Sequence, residues 1–272
     1  MKELSLQEIK QVELDILKMF HSFCVENNIR YFISHGTLLG AVRYKGFIPW
    51  DDDLDVLVPR EDYDRLLTIF QESERYSLVS YERNCKYRYP YAKLCDMSTR
   101  KVEGGYNNGV ELGLDIDVFP LDYWDDDLEK AKQEVRQQQR NMFRLSLTKL
   151  QKPDSRHPVK RFVKGIVMSI CKLRGSTYYV EKIIKGAHKP EQKCSRYMGG
   201  KAWNVYGERD ILPAEVFAEV VEMEFEGEKF FAPIGYDTFL TSLYGDYMPE
   251  PPVEKRKTHH RFKAYSLQGK EQ

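Results

Sequence analysis

Four aspartates fall within five positions, Asp51, Asp52, Asp53 and Asp55, interrupted only by Leu54. From Asp53 onward the segment alternates like a strand. Asp53 and Asp55 are therefore expected on one face, with Leu54, Val56 and Val58 on the other. Carboxylates held so close repel one another unless a cation lies between them. Oxygen ligands in this number suit a hard divalent ion, Mg²⁺ first and Mn²⁺ as a substitute. Just upstream, Gly36-Thr37 follows the apolar run Tyr31-Phe32-Ile33 and precedes Leu38-Leu39-Gly40-Ala41-Val42. A glycine turn that opens a helix presents backbone N–H groups to an anion, and Arg43 and Lys45 add positive charge. The stretch thus combines a phosphate cradle with a metal site, joined by Pro49-Trp50.

Two other readings compete for the acidic run. Such runs are commonly solvated surface, but Ile48-Pro49-Trp50 and Leu54-Val56-Leu57-Val58 bound this one and place it at the edge of a core. A calcium loop of the EF-hand kind also begins Asp-x-Asp-x-Asp. It requires Gly at its sixth position and Glu at its twelfth, where this chain has Val56 and Asp62, so that reading fails.

The twenty-residue string G-T-L-L-G-A-V-R-Y-K-G-F-I-P-W-D-D-D-L-D, Gly36 to Asp55, resembles the LicD family of phosphocholine transferases. That family sits in the nucleotidyltransferase superfamily and is related to the fukutin-type ribitol-phosphate transferases. The segment D-I-D-V-F-P-L-D at 115–122 is similar to the family's D-I-F-P-L-D string. This implies that Asp117 supplies a third carboxylate from a neighbouring strand, with Asp115 the weaker candidate. The closing Y-G-D-Y-M, Tyr244 to Met248, with Pro251-Pro252 and the basic stretch after it, also resembles the family. It implies Arg256 and His259 as ligands for a diphosphate or an acceptor. The resemblance covers the first 125 and last 75 residues.

What it implies is phosphocholine transfer from CDP-choline to a hydroxyl of a lipid-linked cell-envelope glycan precursor, of teichoic acid or lipopolysaccharide type, with release of CMP. Transfer of ribitol phosphate, or nucleotidyl transfer to a small molecule, is the alternative. On this reading Asp53, Asp55 and Asp117 are catalytic, and Asp51 joins them as metal ligands. Gly36, Thr37, Arg43, Lys45, Trp50, Arg256 and His259 contact substrate. Choline recognition would rest on aromatic faces, for which Trp50, Tyr87, Tyr89, Tyr91, Trp203 and Tyr206 are all candidates among 35 aromatic residues.

The elements that must position these residues are partly legible. Ser5 and Glu8 form a capping box ahead of Ile9, Val12, Ile16, Phe20 and Phe23, which predicts an amphipathic helix over 6–27. Strand 30–34, helix 37–44, strand 54–58 and a helix from Glu61 to Phe70 follow. Further strands are expected at 77–81, 90–95, 99–103 and 114–122, with a turn at 104–109. A long polar helix spans 126–150. A strand pair around Glu222–Phe225 and Lys229–Phe231, then a helix over 235–244, complete the pattern. The expected fold class is mixed α/β, a nucleotidyltransferase-like core with a mixed β-sheet flanked by helices, plus a mainly helical second lobe. Its divisions are 1–125 for the catalytic core, 126–190 for a basic helical insertion, and 191–272 for a part that packs back on the core.

The chain has 272 residues, 42 basic and 42 acidic side chains and formally no net charge. That balance conceals polarity, for 111–129 holds eight acids and no Lys or Arg, whereas 140–174 holds ten Lys or Arg and one acid. In 159–172 an apolar stripe runs beside basic residues, a pattern that can lie on an anionic membrane, so 151–174 is a candidate for peripheral membrane contact. Five scattered cysteines without a C-x-x-C pair imply neither zinc nor a disulfide framework. The expected location is cytoplasmic, or peripheral at the inner face of the plasma membrane, as no signal peptide or membrane-length apolar run is present. No spacing supports a nucleic-acid reader.

Overall fold

A computed structural model describes residues 1–103, 108–150, 152–153, 157–256 and 262–267. The strands are β1 (Lys2–Glu3), β2 (Phe32–Ile33), β3 (Asp55–Pro59), β4 (Tyr76–Val79), β5 (Ala92–Glu103), β6 (Leu112–Tyr123), β7 (Tyr197–Gly199), β8 (Leu212–Pro213), β9 (Val220–Phe225), β10 (Glu228–Pro233) and β11 (Phe262–Ser266). The helices are α1 (Leu6–Glu26), α2 (His35–Tyr44), α3 (Arg60–Ile69), α4 (Leu128–Lys149), α5 (Pro158–Ala187) and α6 (Tyr236–Tyr244).

The main sheet runs β1-β11-β5-β6-β3-β2, with β4 paired to β5 and the β7-β8 pair joined to β6. It is mixed, as expected: β3 lies parallel to β6, whereas β5 and β6 are antiparallel. Because β3 is flanked by β2 and β6, Val56, Leu57 and Val58 are all buried. That explains its uninterrupted apolar run.

The capping box at α1 forms as read, with Ser5 Oγ accepting from Glu8 N–H and the Glu8 carboxylate accepting from Ser5 N–H. The apolar stripe of α1 then buries Ile9, Ile16, Leu17 and Phe20. Glu226 and Gly227, both at positive φ, turn β9 into β10, as a tight two-residue hairpin requires. The main core lies between the sheet, α1, the β9-β10 hairpin and α6. A smaller core joins Leu145 and Leu147 of α4 to Met168, Cys171, Tyr179, Val180 and Ile183 of α5.

Several boundaries differ from expectation. The strand expected from Asp53 starts at Asp55, leaving Asp51–Leu54 as a loop. The helix expected at 37 starts at His35, so Gly36 and Thr37 belong to its first turn. Strands expected separately at 90–95 and 99–103 are one strand, β5, whose register with β6 shifts between Asp96 and Lys101. Most of the turn expected at 104–109 lies outside the described residues. Among the described residues, no helix is long and apolar enough to cross a membrane.

Between β7 and β8, Asp210 is buried; its Oδ2 accepts from Gly200 N–H at 2.9 Å and from Asn204 Nδ2 at 3.2 Å, while its Oδ1 finds no partner. Burial pushes its pKa up to about 7, against the lowering effect of those two hydrogen bonds. An acid that ionises later in the folded chain than in the unfolded one favours unfolding as it loses its proton. Stability should therefore fall as pH rises from about 4 to 7 and stay flat above. In Asp210→Asn this decline should be absent, leaving the variant more stable than the parent at pH 8 by on the order of 1–3 kcal/mol. Urea unfolding at pH 5 and pH 8 checks it.

Candidate active site

Parallel pairing of β3 with β6 places Asp55 directly opposite Asp117. The two strands are also tied at their start, where Asp117 N–H donates to the Leu54 carbonyl at 2.8 Å. Asp51, Asp53, Asp55 and Asp117 line one cleft of about 1000 Å³. Within the loop, one oxygen each of Asp51, Asp52 and Asp53 come within 4.8 Å of one another. Such a set of oxygens is what a hard divalent cation takes. The electrostatics point the same way. Burial, and then the charges of Asp53, Asp117 and Asp51, push the Asp55 pKa well above the usual carboxylate range; a bound cation would reverse that direction.

The loop is held from three sides. Lys10 of α1 donates to the carbonyls of Ile48 and Pro49 at 3.0 and 3.1 Å. Glu226, at the hairpin tip, accepts from Phe47 N–H at 3.0 Å and donates its own N–H to the Lys45 carbonyl. From α2, Thr37 Oγ1 accepts from Asp55 N–H at 2.8 Å. A Cβ on Gly36 would stand 2.9 Å from Asp51 Oδ2, so the helix opening and the acidic loop touch only because that residue is glycine.

The sequence-level candidates divide. Gly36, Arg43 and Trp50 line the cleft along with the four aspartates. Thr37 is buried, its hydroxyl engaged by Asp55. Arg43 donates to the carbonyls of Met248 and Pro249, clasping the C-terminal segment. Arg256 stacks over Trp50 at 5.5 Å and pairs with Glu250 at 2.7 Å. Lys45 turns instead toward Glu224 at 2.9 Å, 70% exposed, and is not among the residues lining the cleft. His259 lies outside the described residues. Of the aromatic candidates, Trp50, Trp203 and Tyr206 line the cleft, joined by Phe119 and Tyr244. Tyr87 is buried, and the Lys149 ammonium covers the Tyr89 ring at 3.0 Å. His35 stacks on Tyr206 with its Nδ1 3.9 Å from Asp55 Oδ2, and burial pulls its pKa down to about 4. It is neutral at pH 7.

Three charged residues at this site escaped sequence reasoning. Lys93 of β5, opposite Asp117 in register, contacts both Asp117 and Asp115, the latter at 2.6 Å. Lys101, also on β5, meets the other Asp115 oxygen at 3.0 Å. Asp117, expected from the sequence as a metal ligand, thus has an ammonium group against one of its oxygens. Burial works to raise the Asp115 pKa, but Lys101 and Lys93 outweigh it and hold the carboxyl below its usual range. Asp117, 18% exposed, goes up because burial outweighs Lys93. Glu13 of α1 is fully buried, and neither of its oxygens has a partner; burial drives its pKa well up. A lysine inside a strand pattern signals exposure when read alone, and only pairing with β6 reveals its role. Asp122 is structural, gripped in two-pronged fashion by Arg60 at 2.7 and 2.8 Å.

Residues 28–163 match the LicD/FKTN/FKRP nucleotidyltransferase domain. Over 98% of its length the chain is 33% identical to the whole of the lipopolysaccharide cholinephosphotransferase LicD of Haemophilus influenzae. An uncharacterized protein of Rickettsia prowazekii is 48% identical over 25% of this chain and 26% of its own length. Mannosyltransferase regulator 4 of Saccharomyces cerevisiae is 32% identical over 39% of this chain, though only 9% of its own.

Removing Lys93 strands buried negative charge. Lys93→Met should lower stability by about 3–5 kcal/mol, and adding Asp115→Asn should recover part of that loss. Denaturant titration of the single and double variants checks both.

Proposed function

This chain belongs to the LicD/FKTN/FKRP nucleotidyltransferase family, and from that premise we propose that it transfers phosphocholine from CDP-choline to a hydroxyl of a cell-envelope glycan. The observation that carries the reading is the facing pair Asp55 and Asp117 inside a cleft that also holds Asp51 and Asp53. The Haemophilus relative, by its name, supplies the cholinephosphotransferase activity and the lipopolysaccharide class of acceptor.

In the proposed reaction the acceptor oxygen forms a bond to the phosphorus that carries choline. The bond from that phosphorus to the bridging oxygen breaks, and CMP leaves with the bond's electrons. Little covalent work falls to the protein, so positioning and charge neutralisation dominate. Asp53 and Asp55, with Asp51 and Asp117 beside them, would hold Mg²⁺. When bound, the ion offsets negative charge on the diphosphate and on the leaving group. Asp117 orients the hydroxyl and takes its proton. Backbone N–H groups at the opening of α2, beside Gly36, face the phosphates. Choline, a cation without hydrogen-bond donors, is left to the aromatic wall of Trp203, Tyr206 and Tyr244.

Purified protein should release CMP from CDP-choline when Mg²⁺ and a glycan acceptor are present, and stop when EDTA removes the ion. CDP-ribitol and CTP run beside it: preference for the first, or pyrophosphate from the second, would replace the donor named here. Asp53→Ala and Asp55→Ala should each cut kcat by about 10³-fold or more with an unchanged circular dichroism spectrum. An active Asp53→Ala enzyme would refute the assigned role.

A further inference from the structure

Helix α5 is broken near its middle. Gly175 has φ 81 and ψ 159, outside the helical region, and separates two halves with opposite habits. The second half buries Tyr179, Val180, Ile183 and Ala187. The first, Pro158–Arg174, turns only Met168 and Cys171 inward. Its other apolar side chains face solvent: Phe162 is 71% exposed and Leu173 88%, with Val159, Val163, Ile166, Val167 and Ile170 exposed as well. At 3.6 residues per turn, positions 159, 162, 163, 166, 170 and 173 form one continuous stripe. Positions 168 and 171 fall on the opposite side. An ordinary surface helix buries its apolar face, and this one displays it.

We propose that this half-helix is a lipid-docking arm that lies flat on an anionic bilayer surface. Charge complementarity selects that occupant. Lys160 and Arg174 flank the stripe, Arg161, Lys164 and Lys172 lie behind it, and no Asp or Glu occurs from 158 to 180. Two copies packed stripe to stripe would set the flanking Lys160 and Arg174 of one against those of the other, whereas anionic headgroups attract them. The arm is about 25 Å long, enough for apolar burial in the interface. It is too charged to span the bilayer. Trp203 links the arm's core to the reaction cleft, since it packs against the α4-α5 cluster and also lines the cleft. Docking would hold that cleft near a surface where a lipid-linked acceptor resides.

Flotation of the full-length protein with vesicles tests this. It should bind vesicles containing a third phosphatidylglycerol at low salt. Binding should weaken in high salt and on pure phosphatidylcholine. The variant F162S/I166S/I170S/L173S should lose about 100-fold in partition while keeping its circular dichroism spectrum, because Phe162 and Leu173 are mostly exposed and Ile166 and Ile170 about half so. Lys160→Gln with Arg161→Gln and Lys172→Gln should lose about tenfold or more on anionic vesicles and little on neutral ones. Absence of binding to any vesicle at low salt, or equal binding by the quadruple variant, overturns the proposal. So does a dimer in analytical ultracentrifugation that the quadruple variant abolishes while the parent ignores lipid. Only lipid binding is read, so a negative result leaves the proposed reaction standing.

Discussion

Like charge gathered in a poorly solvated corner is the constraint around which this protein is built. Two unit charges 4 Å apart near a protein surface repel by about 4 kcal/mol, and here Asp55 and Asp117 face each other with Asp51 and Asp53 alongside. Beneath them the fold supplies Lys93 and Lys101 to one side of the acids on β6. Lys93 also tempers Asp55, but burial and the charges of Asp53, Asp117 and Asp51 outweigh it and push that carboxyl up. The sheet thus offsets part of the cluster's charge and leaves carboxylate oxygens facing the cleft, a set that suits a hard cation.

Local signals were legible where they act locally. The Ser5–Glu8 box and the stripe of α1, the acids themselves, and the hairpin at Glu226-Gly227 need no partner to be recognised. The family resemblance then placed Asp117 on the strand beside β3, where the sheet carries it. Side chains whose role depends on a distant strand stayed hidden. Lys93 and Lys101 look like solvent-facing lysines until β5 pairs with β6, and Glu13 looks like the polar side of α1 until the sheet covers it. Tyr206 and Trp203 could not be told from other aromatics, because which rings meet in a cleft is decided by the path of residues 197–210 after β6. Lys45 shows the reverse error: proximity in sequence to the acids did not keep it there once the hairpin offered Glu224.

The C-terminal third shapes the mouth of the cleft. Arg43 and Tyr44 of α2 hold the segment around Met248–Glu250, and Arg256 closes over Trp50. Tyr206 and Tyr244 share a hydrogen bond of 2.7 Å between their hydroxyls, so rings more than thirty positions apart in sequence form one wall.

The contact between Gly36 and Asp51, together with the Thr37 hydroxyl on Asp55 N–H, has a mechanical corollary. The helix opening and the acidic loop have no slack between them, so neither can shift without dragging the other. Their relative alignment is set when the chain folds and costs nothing further at each turnover. Any substitution that pries them apart would be felt as misalignment rather than as lost charge, with every carboxylate still present and aimed at the wrong place.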